Sequence, residues 1–406
     1  DDRVSSVVYP PLITSDYFSS VFNPETNQPI ILRWYQVESV NRLITQGWGI
    51  VIAGTGSGKT LVTAALANSY GILKLKTITI VPNRTLILQT KETYEMCGLD
   101  VGEYTGKKKD VDHLHVISTW QALQNNPQLL SLFRVVIVDE AHTVSGDVLT
   151  NLLNKFGKHI VHRFGVTGTL PKHEANALSV KVALGTVVYN IPASELIHQG
   201  WLAQLHINII QLCSDLTPEY SIFLKESPGS MSYKDFKKEF FPDWFSEKLY
   251  LQKNELRLNA IVKIIEEKKS QGNVLCLVTT IEFGKKLAEM IPGAFFVHGK
   301  DTAEARKEVY DLFGKENNIA VIATVHVAGV GIDIARIFNL MYIDMGRSFI
   351  RTIQTIGRGL RKAKDKGFVN VTDICSDFKY SKRQLSERVL FYKHARYPFS
   401  KQTIDC

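Results

Sequence analysis

The chain has 406 residues, 45% hydrophobic and 22% charged, which supplies one large core or two ordinary ones and, by domain-size statistics, two or three units. A formal charge of +8 and a pI near 9.0 suit a polyanionic partner, because Lys and Arg that neutralise phosphates release counterions. Cys97, Cys213, Cys276, Cys375 and Cys406 stand singly, which argues against a disulfide framework or a close-paired zinc site and for reduced thiols. Asp1, Asp2 and Arg3 open the chain without a signal-peptide core, and the apolar stretch from Ile319 to Ala335 is too short and too broken by Thr324, His326, Gly329, Gly331 and Asp333 to span a bilayer. A cytoplasmic protein is expected.

In chain order, short β-branched runs alternate with amphipathic or polar stretches: Gly49 to Ala53, Thr77 to Val81, His115 to Ser118, Val135 to Val138 and Arg163 to Val166. A second series follows at Asn273 to Val278, Ala294 to Val297, Ile319 to Ala323, Leu340 to Ile343 and Val369 to Thr372. Continuous apolar runs between helical patterns read as buried parallel strands, so an α/β fold with two sheets is expected. Between the series, a stretch rich in Lys, Glu and aromatics reads as a connector with a mainly helical insert. The expected divisions are 1–203, 204–258 and 259–406.

The strongest chemical signal is Ala53-Gly54-Thr55-Gly56-Ser57-Gly58-Lys59-Thr60, between an apolar strand and the helical pattern Leu61 to Ser69. Glycines let backbone N–H groups turn around phosphate oxygens, and the following helix N-terminus adds a positive dipole. Lys59 then meets the β- and γ-phosphates of ATP and Thr60 ligates Mg²⁺. Gly, Lys and Thr in register disfavour a merely structural turn. Asp139-Glu140-Ala141-His142 follows the run Val135 to Val138, so its carboxylates emerge at the carboxyl edge of the same sheet. Asp139 is expected to hold Mg²⁺, and Glu140 to orient or deprotonate the attacking water. Alone, Asp-Glu after a strand is an ordinary turn; downstream of a phosphate loop it reads as catalytic.

Asp139-Glu140-Ala141-His142 resembles motif II of the DEAH-type superfamily 2 helicases, whose fold is two tandem RecA-like domains. The other motifs follow in that family's order. Trp34-Tyr35-Gln36 resembles its adenine-reading motif, which assigns Tyr35 and Gln36 to the base. Val81-Pro82-Asn83-Arg84-Thr85 is similar to motif Ia, Ser118-Thr119-Trp120-Gln121 to Ib and Thr167-Gly168-Thr169 to III. Leu277-Val278-Thr279-Thr280 is similar to motif IV, and His298-Gly299 to the loop after it. Ala323-Thr324 through Gly329-Val330-Gly331-Ile332-Asp333 resembles motif V, with Asp333 on the nucleotide side. Gln354 through Arg361 resembles motif VI.

Arg358 and Arg361 lie at i and i+3 and so share one helix face. The resemblance implies that, with Gln354, they reach the γ-phosphate when the two domains close; such fingers contribute roughly 10³ to 10⁵ in rate in related sites. Without the other motifs they would read as a solvated basic face. Contacts to a nucleic-acid strand are expected from Pro82, Asn83, Arg84, Thr85, Thr119, Trp120, Thr279, His298, Gly299 and Thr324, reading phosphate and not sequence. For any of the threonines, a helix cap or a β-strand role is an equal alternative. Phe240-Phe241-Pro242-Asp243-Trp244-Phe245 is either a wedge that stacks on bases or, as preferred here, core packing.

Thr167-Gly168-Thr169 and the Gln354…Arg358…Arg361 pattern resemble the phage branch-migration helicases and the Rad25/restriction-translocase branch more than the RNA-directed enzymes. That implies DNA as partner, ATP and Mg²⁺ as cofactors, and work at forks and four-way junctions. The motor of a restriction system and an ATP-gated clamp without unwinding are the alternatives.

Overall fold

The computed structural model describes residues 7–24, 26–54, 56–143, 146–171, 174–227, 231–328, 336–346 and 367–406. It divides into two units, Asp1–Leu196 and Ile197–Cys406, each built on its own sheet.

In the first unit, β1 (Phe18–Asn23) and β2 (Gln28–Ile30) form an antiparallel hairpin. The main sheet contains β3 (Trp48–Ala53), β4 (Thr77–Val81), β5 (Val101–Tyr104), β6 (His115–Thr119), β7 (Val135–Asp139), β8 (His162–Thr167) and β9 (Val187–Ile191). All seven run parallel, in the order β5-β6-β4-β7-β8-β3-β9. Side-chain alternation assigns the faces. Ile50, Ile78, Ile80, Val136 and Val138 pack with Leu149, Val180 and Leu184 of the helices on one side. On the other, the Thr79 hydroxyl meets Tyr94 of helix Arg84–Met96 at 3.0 Å.

The second unit contains β10 (Gln204–Cys213), β11 (Val274–Val278), β12 (Phe295–Val297), β13 (Ala320–Thr324), β14 (Asn339–Ile343), β15 (Phe368–Ser376) and β16 (Phe399–Asp405). These too are all parallel, in the order β12-β13-β11-β14-β15-β10-β16. Numbered by appearance within each unit, both sheets read 3-4-2-5-6-1-7. The chain therefore holds two RecA-like α/β sheets of one topology. No helix among the described residues is long and apolar enough to cross a membrane.

All ten runs read as strands are strands. The expectation that a connector begins at residue 204 is corrected: Gln204–Cys213 is β10, pairing with both β15 and β16 inside the second sheet. Leu205, Ile207, Ile209, Ile210 and Leu212 are buried there, and that burial is what makes the segment a strand. The helical insert itself comprises Thr217–Glu226, Tyr233–Glu239 and Trp244–Lys253. Leu216, Phe236, Phe241 and Leu251 pack with Phe378 of the second unit, and Tyr250 and Phe240 join them. The packing alternative thus holds for Phe240 and Phe241, whereas Trp244 and Phe245 are 41% and 66% exposed. From the helix Trp244–Lys253, the buried Glu247 carboxylate accepts the backbone N–H groups of Tyr380 at 2.8 Å and Ser381 at 2.7 Å. A carboxylate there satisfies orphan donors and the positive end of helix Lys379–His394.

From that helix, Arg388 grips Asp373 of β15 with two hydrogen bonds of 2.8 Å, and the Tyr392 hydroxyl adds a third at 2.9 Å. A third guanidinium nitrogen donates to the Met345 carbonyl. Asp373 is 0% and Arg388 4% exposed, so removing either charge strands the other in the core. Arg388→Leu is expected to destabilise the second unit by about 3–5 kcal/mol in urea unfolding, with Arg388→Leu/Asp373→Leu recovering much of the loss. A single variant as stable as the parent would contradict this account.

Candidate nucleotide and nucleic-acid site

Because the strands are parallel, every loop that follows a strand emerges at one edge. In the first sheet, register aligns the strand ends: Asp139 lies opposite Val166 and Thr167 opposite Ile52. The glycine loop after β3, the Asp-Glu pair after β7 and Thr167 closing β8 are thereby brought to the same region.

Gly56 and Gly58 have φ of +85° and +78°, which side chains on L-residues rarely tolerate, and Gly58 caps the helix Lys59–Ile72. A Cβ at Gly58 would stand 2.5 Å from the Gln36 amide nitrogen, and one at Gly54 would stand 2.8 Å from the Ala193 backbone nitrogen. Thr60 occupies the second position of the same helix. Thr55 lies outside the described residues.

Lys59, 9% exposed, reaches Glu140 at 3.5 Å. Glu140 itself has φ +48°, a left-handed turn directly after β7 that costs energy and redirects the chain at the strand end. Its N–H donates to Asp139 Oδ1 at 2.9 Å. Burial, then the neighbouring Glu140 charge, push the Asp139 carboxyl up to about 7, with Lys59 opposing. His142 Nδ1 lies 2.7 Å from the Thr167 hydroxyl and 3.4 Å from Glu140 Oε2. Burial lowers the His142 pKa, which keeps the ring neutral. The Thr167 hydroxyl in turn donates to the Thr169 carbonyl at 2.8 Å. His142 therefore links the Asp-Glu turn directly to the loop after β8, a role that its place in the motif does not by itself announce.

These residues fit a magnesium nucleotide. The Ser57 hydroxyl is buried without a hydrogen-bond partner beside the glycine loop. The buried carboxylate of Asp139, costly to ionise alone, is the kind of group that a divalent cation stabilises in its charged form.

Tyr35 requires a correction. It is 1% exposed, and its hydroxyl donates to the Ser57 carbonyl at 3.0 Å, so its ring is packed in the core and cannot stack on a base. Gln36 is 2% exposed and bridges the Arg33 N–H at 2.9 Å to the Ser57 carbonyl at 3.0 Å, buttressing the loop. Next to them lies a cavity of about 250 Å³, lined by Asn23, Gln28, Ile31, Arg33, Gln36 and Gly58 among others. The hairpin's contribution was missed because β1 and β2 carry no motif. The burial of Tyr35 was legible: Tyr35, Ser39, Val40 and Leu43 form one buried stripe of helix Trp34–Gln46.

The strand-contact candidates collect on the other half of the edge. Pro82 and Asn83 follow β4, Arg84 and Thr85 open the next helix, and Thr119 and Trp120 stand where β6 becomes a helix. Asn83 and Thr119 also serve as caps, accepting from Leu86 N at 3.1 Å and Ala122 N at 3.3 Å. In the second sheet Thr279 follows β11 with its hydroxyl buried and unpartnered, Thr324 ends β13, and His298 follows β12 with Nδ1 at 2.8 Å from Asp301. Gly299 has open space beside it, since a Cβ there would stand 3.9 Å from the Val327 side chain. Asp333, Gln354, Arg358 and Arg361 lie outside the described residues.

Gly58→Ala combines a left-handed backbone with the Gln36 clash. It is expected to weaken binding of a fluorescent ATP analogue by at least about tenfold while circular dichroism stays unchanged; unchanged affinity would contradict the loop geometry.

Comparison with known proteins follows the same division. The family described as type III restriction enzyme, res subunit, matches residues 29–172, and the helicase conserved C-terminal domain matches 256–363. The ATP-dependent DNA helicase uvsW of Enterobacteria phage T4 is 24% identical over 86% of this chain and 69% of its own length. The DNA 3'-5' translocase XPB2 of Sulfurisphaera tokodaii is 24% identical over 89% and 86%. A fragment of a putative HsdR subunit of a type I restriction enzyme from Vibrio vulnificus shares the fold, with a TM-score of 0.64 at 15% identity over 96% of this chain and 71% of that one. With a nucleotide-site half and a helicase C-terminal half in that order, the chain belongs to the superfamily 2 helicases.

Proposed function

We propose that the chain is the motor of an ATP-dependent DNA helicase or translocase that remodels forked or four-way DNA in phage replication, recombination or repair. The observation that carries it is the matching placement of the candidate strand contacts. They follow the second and fourth strands of the first sheet, and the second, third and fourth strands of the second. In the first sheet the nucleotide residues follow the first, fifth and sixth strands, so ATP and nucleic acid would use different halves of one edge. The DNA assignment is supported by relatives named as DNA helicase and DNA translocase, and the junction role rests on the motif resemblance alone.

In this reading Lys59 leaves Glu140 for the β- and γ-phosphates, while backbone N–H groups of the glycine loop hold the remaining oxygens. Thr60 and Asp139 would hold Mg²⁺, which supplies neutralisation of charge on the phosphate oxygens. Glu140 orients the attacking water and accepts its proton as the γ-phosphoryl group departs from ADP. His142, held between Glu140 and Thr167, then carries a change in the Glu140 position to the loop after β8. Arg358 and Arg361 keep the role that the family resemblance implies.

A restriction-system motor is the second reading, favoured by the family description that matches residues 29–172. It would act with a separate nuclease.

ATPase and strand separation should be measured on single strands, forks and four-way junctions. Turnover stimulated by DNA with product from the four-way substrate supports branch migration; turnover without strand separation on any substrate favours a clamp or a translocating restriction motor. Lys59→Ala is expected to abolish turnover and Glu140→Gln to slow it about 100-fold or more while sparing ATP binding. Retained ATPase in Lys59→Ala would reject the site.

A further inference from the structure

Helix Thr217–Glu226 has no buried residue, although it carries Tyr220, Ile222, Phe223 and Leu224. Tyr220 and Phe223 rest half-buried on Phe236 of the insert's aromatic cluster, which leaves the rest of the apolar stripe without a covering element among the described residues. Here Ile222 and Phe223 line an open cavity of about 540 Å³, together with Met231, Phe236 and Phe240. Ile222 is 59% exposed. The remaining lining residues are Glu219, Glu226 and Glu239, so among the described residues this cavity has three acids and no base. Among the described residues, Glu219 Oε2 is buried without a hydrogen-bond partner and its Oε1 accepts the Tyr250 hydroxyl at 3.4 Å.

Carboxylates around an apolar cavity repel phosphate, so the insert's pocket does not suit a nucleic-acid strand even though the chain carries a net charge of +8. The same arrangement is complementary to a polypeptide that presents apolar side chains between cationic ones: the apolar groups fill a floor of Phe, Met and Ile, and each cation meets a rim carboxylate. The platform is firm. Lys237 binds Asp377 at 2.8 Å and the Ser214 carbonyl at 2.7 Å, and Phe236 and Phe241 pack in the cluster that includes Phe378.

We propose that this cavity docks a basic amphipathic segment of a partner protein, with one or two aliphatic side chains in the pocket and Lys or Arg over Glu219, Glu226 and Glu239. The cavity's lining shares no residue with the nucleotide or strand-contact candidates, so variants in it are read apart from turnover.

The full chain is titrated with a fluorescent synthetic peptide carrying Leu at i and i+4 among Lys residues, and with an equally charged peptide in which Ser replaces Leu. Wild type should bind the Leu peptide at least about tenfold more tightly than the Ser peptide. Glu226→Lys/Glu239→Lys and Ile222→Ser should each lose about tenfold in affinity for it, with ATPase unchanged to confirm folding. Equal binding of both peptides, or equal binding to wild type and variants, would overturn the proposal. So would protection of residues 219–240 from hydrogen exchange by an oligonucleotide, or a dimer of the chain that Ile222→Ser dissolves.

Discussion

The parallel direction of the strands is the constraint on which the rest depends. A parallel sheet sends every strand-following loop to one edge, so residues distant in sequence meet without long connections. Lys59, Asp139, Glu140 and Thr167 follow three strands and still form one set, Thr167 joining through His142, with hydrogen bonds and ion pairs of 2.7 to 3.5 Å. Antiparallel pairing would have divided them between two edges. The repetition of strand order 3-4-2-5-6-1-7 extends the constraint to the second unit, where Thr279 and Thr324 stand at the ends of strands equivalent to β4 and β6, and His298 follows the neighbouring strand β12.

Left-handed backbone occurs at ordinary turns such as Asn27, Lys74 and Asn318, and also in the loops where the nucleotide chemistry would use it. The left-handed residues Gly56, Gly58 and Glu140 all lie at strand ends of the nucleotide half. The surrounding order over-determines them: Gln36 and Tyr35 fasten the loop through Ser57, and His142 and Thr167 fasten the turn at Glu140. In the second unit the buried Arg388–Asp373 pair and the Glu247 cap play a comparable part, joining insert, helix and sheet.

Much of this was legible in the sequence, for identifiable reasons. Central strands such as Val135–Asp139 and Val274–Val278 are buried on both faces and read as unbroken apolar runs. The glycine loop was legible because its chemistry demands Gly, Lys and Thr in register. β16 was not, since an edge strand that pairs only with β10 leaves Ser400, Lys401, Gln402 and Thr403 exposed and carries no hydrophobic pattern. β10 was missed because the charge and aromatic content of the insert that follows it dominated the reading of its region. Tyr35 was misassigned because a short motif gives residue types and not the face of a helix. The acidic rim of the insert cavity draws on helices Thr217–Glu226 and Tyr233–Glu239, and no spacing in sequence announces that convergence.

The division of the sheet edge between nucleotide and nucleic acid is the central claim, and hydrogen exchange with bound single-stranded DNA tests it most directly. Slowed exchange is expected at Asn83–Thr85 and Thr119–Trp120 in the first unit and at Thr279–Thr280 and His298–Gly299 in the second, with the glycine loop after β3 unaffected. Protection confined to the amino-terminal strand edges, or absent from the second unit, would contradict the account.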